Sequence, residues 1–160
     1  MMRVAVLTVS DAASRGERAD SSGDSIVAWA EARGAQVVDR TLVPDESNRI
    51  VPVLLAWCDN DVADLVLTTG GTGLSARDIT PEATRAVIER EAPGIAERLR
   101  VTAIERFPRA ALSRGLAGVR NRSLVVNLPG SPGGVRDALV ALEPIIDHAI
   151  EIVRGSPTDH

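Results

Sequence analysis

A chain of 160 residues, 44% hydrophobic and 25% charged, has the size and apolar content of one soluble domain with a buried core. The formal charge of −4 and the sparse, scattered aromatics Trp29, Trp57 and Phe107 argue against a nucleic-acid-binding or base-stacking surface. All 18 basic residues are arginine, which excludes a P-loop lysine and a Schiff-base lysine, and Cys58, the single cysteine, excludes an internal disulfide and any multi-cysteine metal site.

Val4 to Val9 is a nearly continuous apolar run, as a strand buried on both faces requires, and it ends at Ser10-Asp11. The start of the chain is too short for a signal h-region or a membrane span, so a cytoplasmic protein without membrane contact is expected. Ala12 to Ser21 is polar and reads as a loop. A helix opens at Ser22-Gly23, carries Ile26, Trp29, Ala30 and Arg33 on one stripe and stops at Gly34. Gln36 to Val43 returns as a second strand. Pro44 to Ser47 turns into a helix marked by Ile50, Val53, Leu54 and Trp57, with Pro52 tolerable in its first turns and Cys58 reading as a buried structural thiol.

Leu65 to Leu67 predict the central strand, which breaks into Gly70-Gly71-Thr72-Gly73. Thr80-Pro81 predicts a capped helix running towards Glu91. Pro93-Gly94 punctuates, and Ile95, Leu99 and Thr102-Ala103 predict a further short helix ended by Phe107-Pro108. Ala110 to Gly118 has no period and is expected to be a loop or short turn. Ser123 to Leu128 is a fourth apolar strand, followed by a second glycine and proline loop from Pro129 to Gly134. Val135, Leu139, Leu142, Ile146, Ala149 and Val153 then recur at helical spacing, with Pro144 expected to kink or restart the helix. Residues 1–155 are expected to form a single domain, with 156–160 a polar tail.

Strands alternating with helices predict an α/β fold with a mostly parallel sheet covered on both faces, in which ligands gather at the carboxyl ends of the strands. Four loops fall there: those with Ser10-Asp11, with Pro44-Asp45, from Gly70 to Asp78, and from Asn127 to Gly134. Gly71 to Ala76 formally matches the dinucleotide pattern G-x-G-x-x-A, but its helix starts inside the glycines, whereas here Thr80-Pro81 places it several residues later. A wider cradle of backbone N–H groups and threonine hydroxyls, suited to phosphate or a polar ring edge, fits better than that fingerprint or a purely structural turn. Asp45 and Asp78 both lie just beyond strands at one sheet edge, where two carboxylates can share a magnesium ion beside a phosphate, although either alone is also a common turn residue. His148 in the last helix and His160 in the tail form no triad or zinc pattern. Ser113 lacks the frame of a nucleophile elbow, and its neighbour Arg114 is either an anion contact or a solvated side chain.

Seven motifs occur in the order seen in one family. They are Thr8-Val9-Ser10-Asp11, Asp20-Ser21-Ser22-Gly23, Val43-Pro44-Asp45-Glu46, Thr68 to Gly73, Arg77 to Ala83, Leu112-Ser113-Arg114 and Asn127 to Pro132. From Val4 to about Val153 the chain resembles the MoaB/Mog family of molybdopterin adenylyltransferases, and is similar also to the G domain of gephyrin. The resemblance implies a three-layer α/β/α sandwich, a homotrimer, and Mg2+-dependent adenylyl transfer from ATP to molybdopterin in molybdenum cofactor biosynthesis. Asp45 and Asp78 carry over as the essential, metal-binding carboxylates. Thr69, Gly70, Gly71, Thr72, Gly73, Ser113, Arg114 and Asn127, with Pro129, Gly130, Ser131 and Pro132, carry over as pterin and nucleotide contacts. Ser10, Asp11, Ser22 and Gly23 line the nucleotide side. A downstream molybdate-insertion protein is the implied recipient of the product. A non-catalytic molybdopterin-binding or carrier protein of the same family is the alternative, and a dinucleotide-dependent oxidoreductase a weaker one.

Overall fold

The computed structural model describes residues 1–157, so His160 and its two neighbours lie outside the described residues. Six strands form one sheet in the order β2-β1-β3-β6-β5-β4: β1 Arg3–Val9, β2 Gln36–Val43, β3 Leu65–Thr69, β4 Arg90–Glu91, β5 Ala117–Arg120 and β6 Ser123–Leu128. β2, β1, β3 and β6 run parallel, and β5 and β4 are antiparallel additions at one edge. The helices are α1 Asp11–Ser14, α2 Ser21–Ala32, α3 Ser47–Asp59, α4 Thr80–Val87, α5 Pro93–Ile104 and α6 Pro132–Arg154, with a 3-10 turn at Pro108–Leu112.

The apolar runs are continuous because both faces of the sheet are covered. Val4, Val6, Leu65, Leu67, Leu124 and Val126 pack towards α2, α5 and α6, with Ile26, Leu99, Leu142 and Ile146 opposite them. Ala5, Leu7, Val66 and Val125 point the other way, against Ile50, Leu54, Trp57, Ala83 and Val87 of α3 and α4. This is the three-layer α/β/α sandwich with a mostly parallel sheet. Cys58 is fully buried, and desolvation pushes its thiol up to about 11, so it is structural as expected. No helix of the described residues is long and apolar enough to cross a membrane.

The structure departs from the sequence expectations in several places. The polar segment after β1 opens with α1, capped by the Ser10 hydroxyl, which accepts from the Ala13 N–H at 3.1 Å. The helix expected to reach Glu91 ends at Val87, and Arg90–Glu91 becomes the edge strand β4 on β5. The aperiodic stretch from Ala110 to Gly118 holds the end of the 3-10 turn and the start of β5; strands of two and four residues are too short to show alternation. Finally, α6 runs unbroken through Pro144, whose ring faces solvent and whose missing bond would have gone to Val140, itself 69% exposed, so water can take the freed carbonyl.

At the opposite end of the sheet from the four loops, Asp64 accepts from the Arg3 backbone (2.7 Å) and guanidinium (2.7 Å) and pairs with Arg154 of α6 (3.1 Å). Burial pushes the Asp64 carboxyl up, but the two arginines outweigh it and hold it below its ordinary range. Neighbouring Asp61 is held at about 2, first by its hydrogen bond from Arg154. Both folded values lie below the unfolded ones, so this cluster stabilises fully above about pH 4 and its contribution is lost as pH falls from there towards 2. Urea midpoints should fall steeply between pH 5 and pH 2.5, and Asp61→Asn should make that acid limb shallower; an unchanged slope would refute the linkage.

Candidate active site

The parallel strands bring four loops to one edge. The register aligns Thr8 with Thr69, Thr69 with Leu128 and Val9 with Val43, so β1, β2, β3 and β6 all end at one level. From β1 the chain first moves outward to β2 and then returns to the other side of β1 as β3, which leaves a crevice between the loops after β1 and β3, the usual ligand position in such sheets.

Two clefts adjoin there. The larger, about 710 Å³, lies between the glycine loop, α5, the 3-10 turn and the start of α6, and its wall is largely apolar side chains such as Leu99, Ala103 and Phe107. The smaller, about 530 Å³, is lined by Ser10, Asp20, Ser22 and Asp45 among others. Gly71, Asp78, Gly130 and Ser131 line both. Ser131 also caps α6, accepting from the Gly134 N–H at 3.1 Å, so the positive end of a 23-residue helix dipole faces this shared wall.

Asp45 is set by a reciprocal pair of hydrogen bonds with Asp11. The Asp11 N–H donates to Asp45 Oδ2 (2.9 Å) and the Asp45 N–H donates to Asp11 Oδ1 (3.0 Å). Arg77 then grips the Asp11 carboxylate with two bonds of 2.9 and 2.8 Å, and chiefly through them holds it at about 2. The other Asp45 oxygen presses on the glycine loop: a Cβ at Gly71, whose φ is +68°, would collide with Thr80 Oγ1 and lie 2.9 Å from Asp45 Oδ1. Asp78 sits against the next glycine of the same loop, its Oδ2 2.8 Å from the Cβ position of Gly73 and accepting from the Ser75 N–H at 3.0 Å. Burial pushes the Asp45 carboxyl above its ordinary value, and the charges of Asp11 and Asp78 add to the rise against the Asp11 N–H and Arg77.

Two oxygen ligands that repel each other at a crevice suit a hard divalent cation. Among the described residues no three metal-binding side chains cluster, so a cation on Asp45 and Asp78 would take its other ligands from substrate phosphates and water, as magnesium does. The donor set therefore fits Mg2+.

The glycine loop is held by groups expected to touch ligands. Arg114 donates from Nε to the Gly73 carbonyl (2.7 Å), from Nη2 to the Asp78 carbonyl (2.6 Å) and from Nη1 to the Glu82 carboxylate, while its N–H donates to Thr72 O (2.7 Å). Its fork is engaged by the loop, and it lines neither cleft. Thr80 does not cap α4; its hydroxyl donates to Gly70 O (2.9 Å). The Thr69 hydroxyl donates to Pro129 O (2.6 Å) and the Ser22 hydroxyl to Gly130 O (2.8 Å), which ties the two glycine loops and the start of α2 together.

Asn127 is 4% exposed, accepts from Leu116 N–H (3.0 Å) and donates to the hydroxyls of Thr68 and Thr84 (both 2.9 Å). It forms part of the larger cleft's floor while its amide serves the fold. Gly23 donates its N–H to the Asp20 carboxylate (3.0 Å), and neither it nor Asp11 lines a cleft. Of the remaining expected contacts, Thr72, Gly73, Ser113 and Pro129 line the larger cleft, and Ser10, Ser22, Thr69, Gly70 and Pro132 the smaller. Sequence reasoning missed Arg18 of the smaller cleft and Phe107 and Arg109 of the larger, where Arg109 stacks on the Phe107 ring at 4.7 Å. Only the adjacency of Phe107-Pro108-Arg109 hinted at the latter pair.

Comparison with known proteins identifies the family. The family described as "Probable molybdopterin binding domain" matches residues 5–148. The chain is 41% identical over 157 residues to a molybdopterin adenylyltransferase of Helicobacter pylori (strain J99), covering 97% of this chain and 89% of that one. The molybdopterin biosynthesis enzyme MoaB of Thermus thermophilus superposes with a TM-score of 0.92 at 49% identity, covering 99% of this chain and 100% of that one. The molybdopterin biosynthesis Mog protein of Mycobacterium ulcerans gives 0.90 at 37%, covering 96% and 99%. With a family match over most of the chain, and relatives and structures matched over nearly its whole length, the chain belongs to the MoaB/Mog family of molybdenum cofactor biosynthesis proteins.

Proposed function

We propose that this chain transfers the adenylyl group of ATP to the terminal phosphate of molybdopterin, releasing pyrophosphate, with Asp45 and Asp78 holding magnesium. The observation that carries the reading is the pair of adjoining clefts with Gly71, Asp78, Gly130 and Ser131 as their common wall, since a transfer between two bound substrates needs two pockets that meet at the reacting phosphorus. The larger cleft, with its apolar wall, takes the pterin, and the smaller, with its hydroxyls and carboxylates, takes the nucleotide. Both volumes lie within the range usual for such ligands.

In the proposed reaction a pterin phosphate oxygen forms a bond to the α-phosphorus of ATP, and the bond from that phosphorus to the β-bridging oxygen breaks, its electron pair leaving with pyrophosphate. A phosphate monoester with a second pKa of about 6 is already largely ionised at neutral pH, so the site needs no general base, in keeping with the position of His148 on the exposed face of α6. The work of the residues is positioning and charge. Asp45 is braced from behind by Asp11 and Arg77, Asp78 is fixed by the Ser75 N–H and the Arg114 clamp, and the α6 N-terminus faces the developing negative charge. Magnesium supplies neutralisation of the phosphate charges when bound.

Incubation of the protein with ATP, Mg2+ and molybdopterin should give adenylylated pterin and pyrophosphate in equal amounts, with no ATP consumed when the pterin is omitted. Tight pterin binding without turnover would overturn the reading in favour of a carrier.

A further inference from the structure

Around the smaller cleft the guanidinium groups are engaged, with one exception. Arg15 pairs with Glu17 (2.9 Å), Arg40 with Asp20 (3.0 Å) and Asp24 (2.7 Å), and Arg77 with Asp11 (2.8 Å). Arg114 is clamped on Glu82 and the glycine loop. Arg18 lines the cleft, is exposed, and has no hydrogen bond or ion pair among the described residues. Among the described residues it is also the only basic one lining that cleft, whose other charged side chains are Asp20, Asp45 and Asp78.

The segment that carries Arg18 is anchored on both sides. The Gly16 N–H donates to Ala13 O and the Glu17 N–H to Ala12 O, each at 3.0 Å, which folds the turn back onto α1. Two residues beyond Arg18, Asp20 accepts from the Thr8 hydroxyl (2.8 Å) and from Arg40 (3.0 Å) and caps α2. Arg18 is thus held over the cleft by a short span between fixed points, with its five donors free. An arginine placed this way is suited to a phosphate, whose oxygens match the planar fork two at a time.

We propose that Arg18 is the polyphosphate handle of the smaller cleft: its guanidinium receives the β- and γ-phosphates of a nucleoside triphosphate and sets the preference of the cleft for a triphosphate over a monophosphate. The inference rests on the adenylyl-transfer reading and adds the residue that selects the donor nucleotide. Asp20 is already neutralised by Arg40, while Asp78 is part of the shared wall, where the α-phosphate must lie for transfer, and Asp45 lies against Gly71 of that wall. The outer phosphates are left with Arg18 as the cleft's one cationic side chain. Its contact is made in the bound complex and strengthens as negative charge builds up on the departing pyrophosphate, so it acts on both binding and the rate of transfer.

The test measures binding of ATP, AMP and inorganic pyrophosphate in the presence of Mg2+, for the wild-type chain, Arg18→Ala and Arg18→Lys, together with steady-state kinetics. Arg18→Ala should bind ATP and pyrophosphate roughly tenfold more weakly while AMP and molybdopterin affinities stay unchanged. KM for ATP should rise and kcat should fall, so that kcat/KM drops by more than the loss in ATP affinity, and Arg18→Lys should recover part of the loss because it restores charge without the fork. Equal ATP affinity in Arg18→Ala and the wild type would overturn the handle and leave adenylyl transfer standing, as would a loss shared equally by AMP, the mark of a structural defect. A wild-type chain that binds no ATP would overturn both.

Discussion

Asp78→Asn is expected to lower kcat for adenylyl transfer by roughly 10²–10³-fold while the protein stays folded and still binds the pterin. The amide keeps the shape of the side chain, and its oxygen can still accept from the Ser75 N–H, so the loop from Gly73 to Thr80 retains its local bonds. What disappears is one of the two negative charges available to a cation at the wall shared by the clefts. Asp45→Asn removes the other, and the two should be far from additive, since a cation site with one carboxylate is already defective. Titrating magnesium against each variant is the informative measurement: the rate should saturate at a much higher Mg2+ concentration and at a lower plateau. Wild-type kcat in Asp78→Asn at ordinary magnesium would remove Asp78 from the chemistry.

Gly70→Ala should be the most damaging single methyl in the active-site loops, destabilising by roughly 3–5 kcal/mol and abolishing turnover. Gly70 has φ +95°, a conformation that a Cβ opposes on its own, and the added atom would also collide with the backbone carbonyl oxygen of Val9. A flexible side chain could swing away from such a contact, but that carbonyl belongs to the end of β1 in the middle of the sheet. Relief would therefore have to part β1 from β3 at the level where the crevice opens. Gly34→Ala is the control, because Gly34 has a similar positive φ of +78° but open space where its Cβ would be. It should cost only about 1 kcal/mol. Urea unfolding of the two variants side by side measures the difference; equal midpoints would show that backbone conformation alone, and not the closeness of the strand ends, dictates glycine at position 70.

The elements that packing makes periodic were legible from the residues. β1, β3 and β6 are apolar throughout because helices cover both their faces, and the stripes of α2, α3 and α6 follow from the one face each helix buries. The late start of α4, at Thr80, bears out the rejection of a dinucleotide fingerprint. β4 and β5 were not legible, since two and four residues cannot show alternation. The hairpin from β5 to β6 did leave a trace in Asn121, which holds φ +52° in its two-residue turn.

In the site, the residue types of the motifs pointed to four loops at one sheet edge without separating groups open to a ligand from braces. Asp11 and Arg77 lie 66 residues apart in sequence, and only their pairing in space reveals that Asp11 serves Asp45 from behind. Arg114, an expected anion contact, turns out to hold carbonyls of the glycine loop, while Arg18 in an unremarkable polar stretch has no partner among the described residues. By itself the sequence determined the layered α/β architecture, the four loops at one sheet edge, the absence of lysine chemistry and the placement of Asp45 and Asp78 just beyond strands, because apolar periodicity and residue type are local properties of the chain. Tertiary structure alone decided which polar groups remain available to a ligand: a hydrogen-bond donor or a carboxylate is free or engaged according to what other segments place within about 3 Å of it, and that distance is a property of the folded chain.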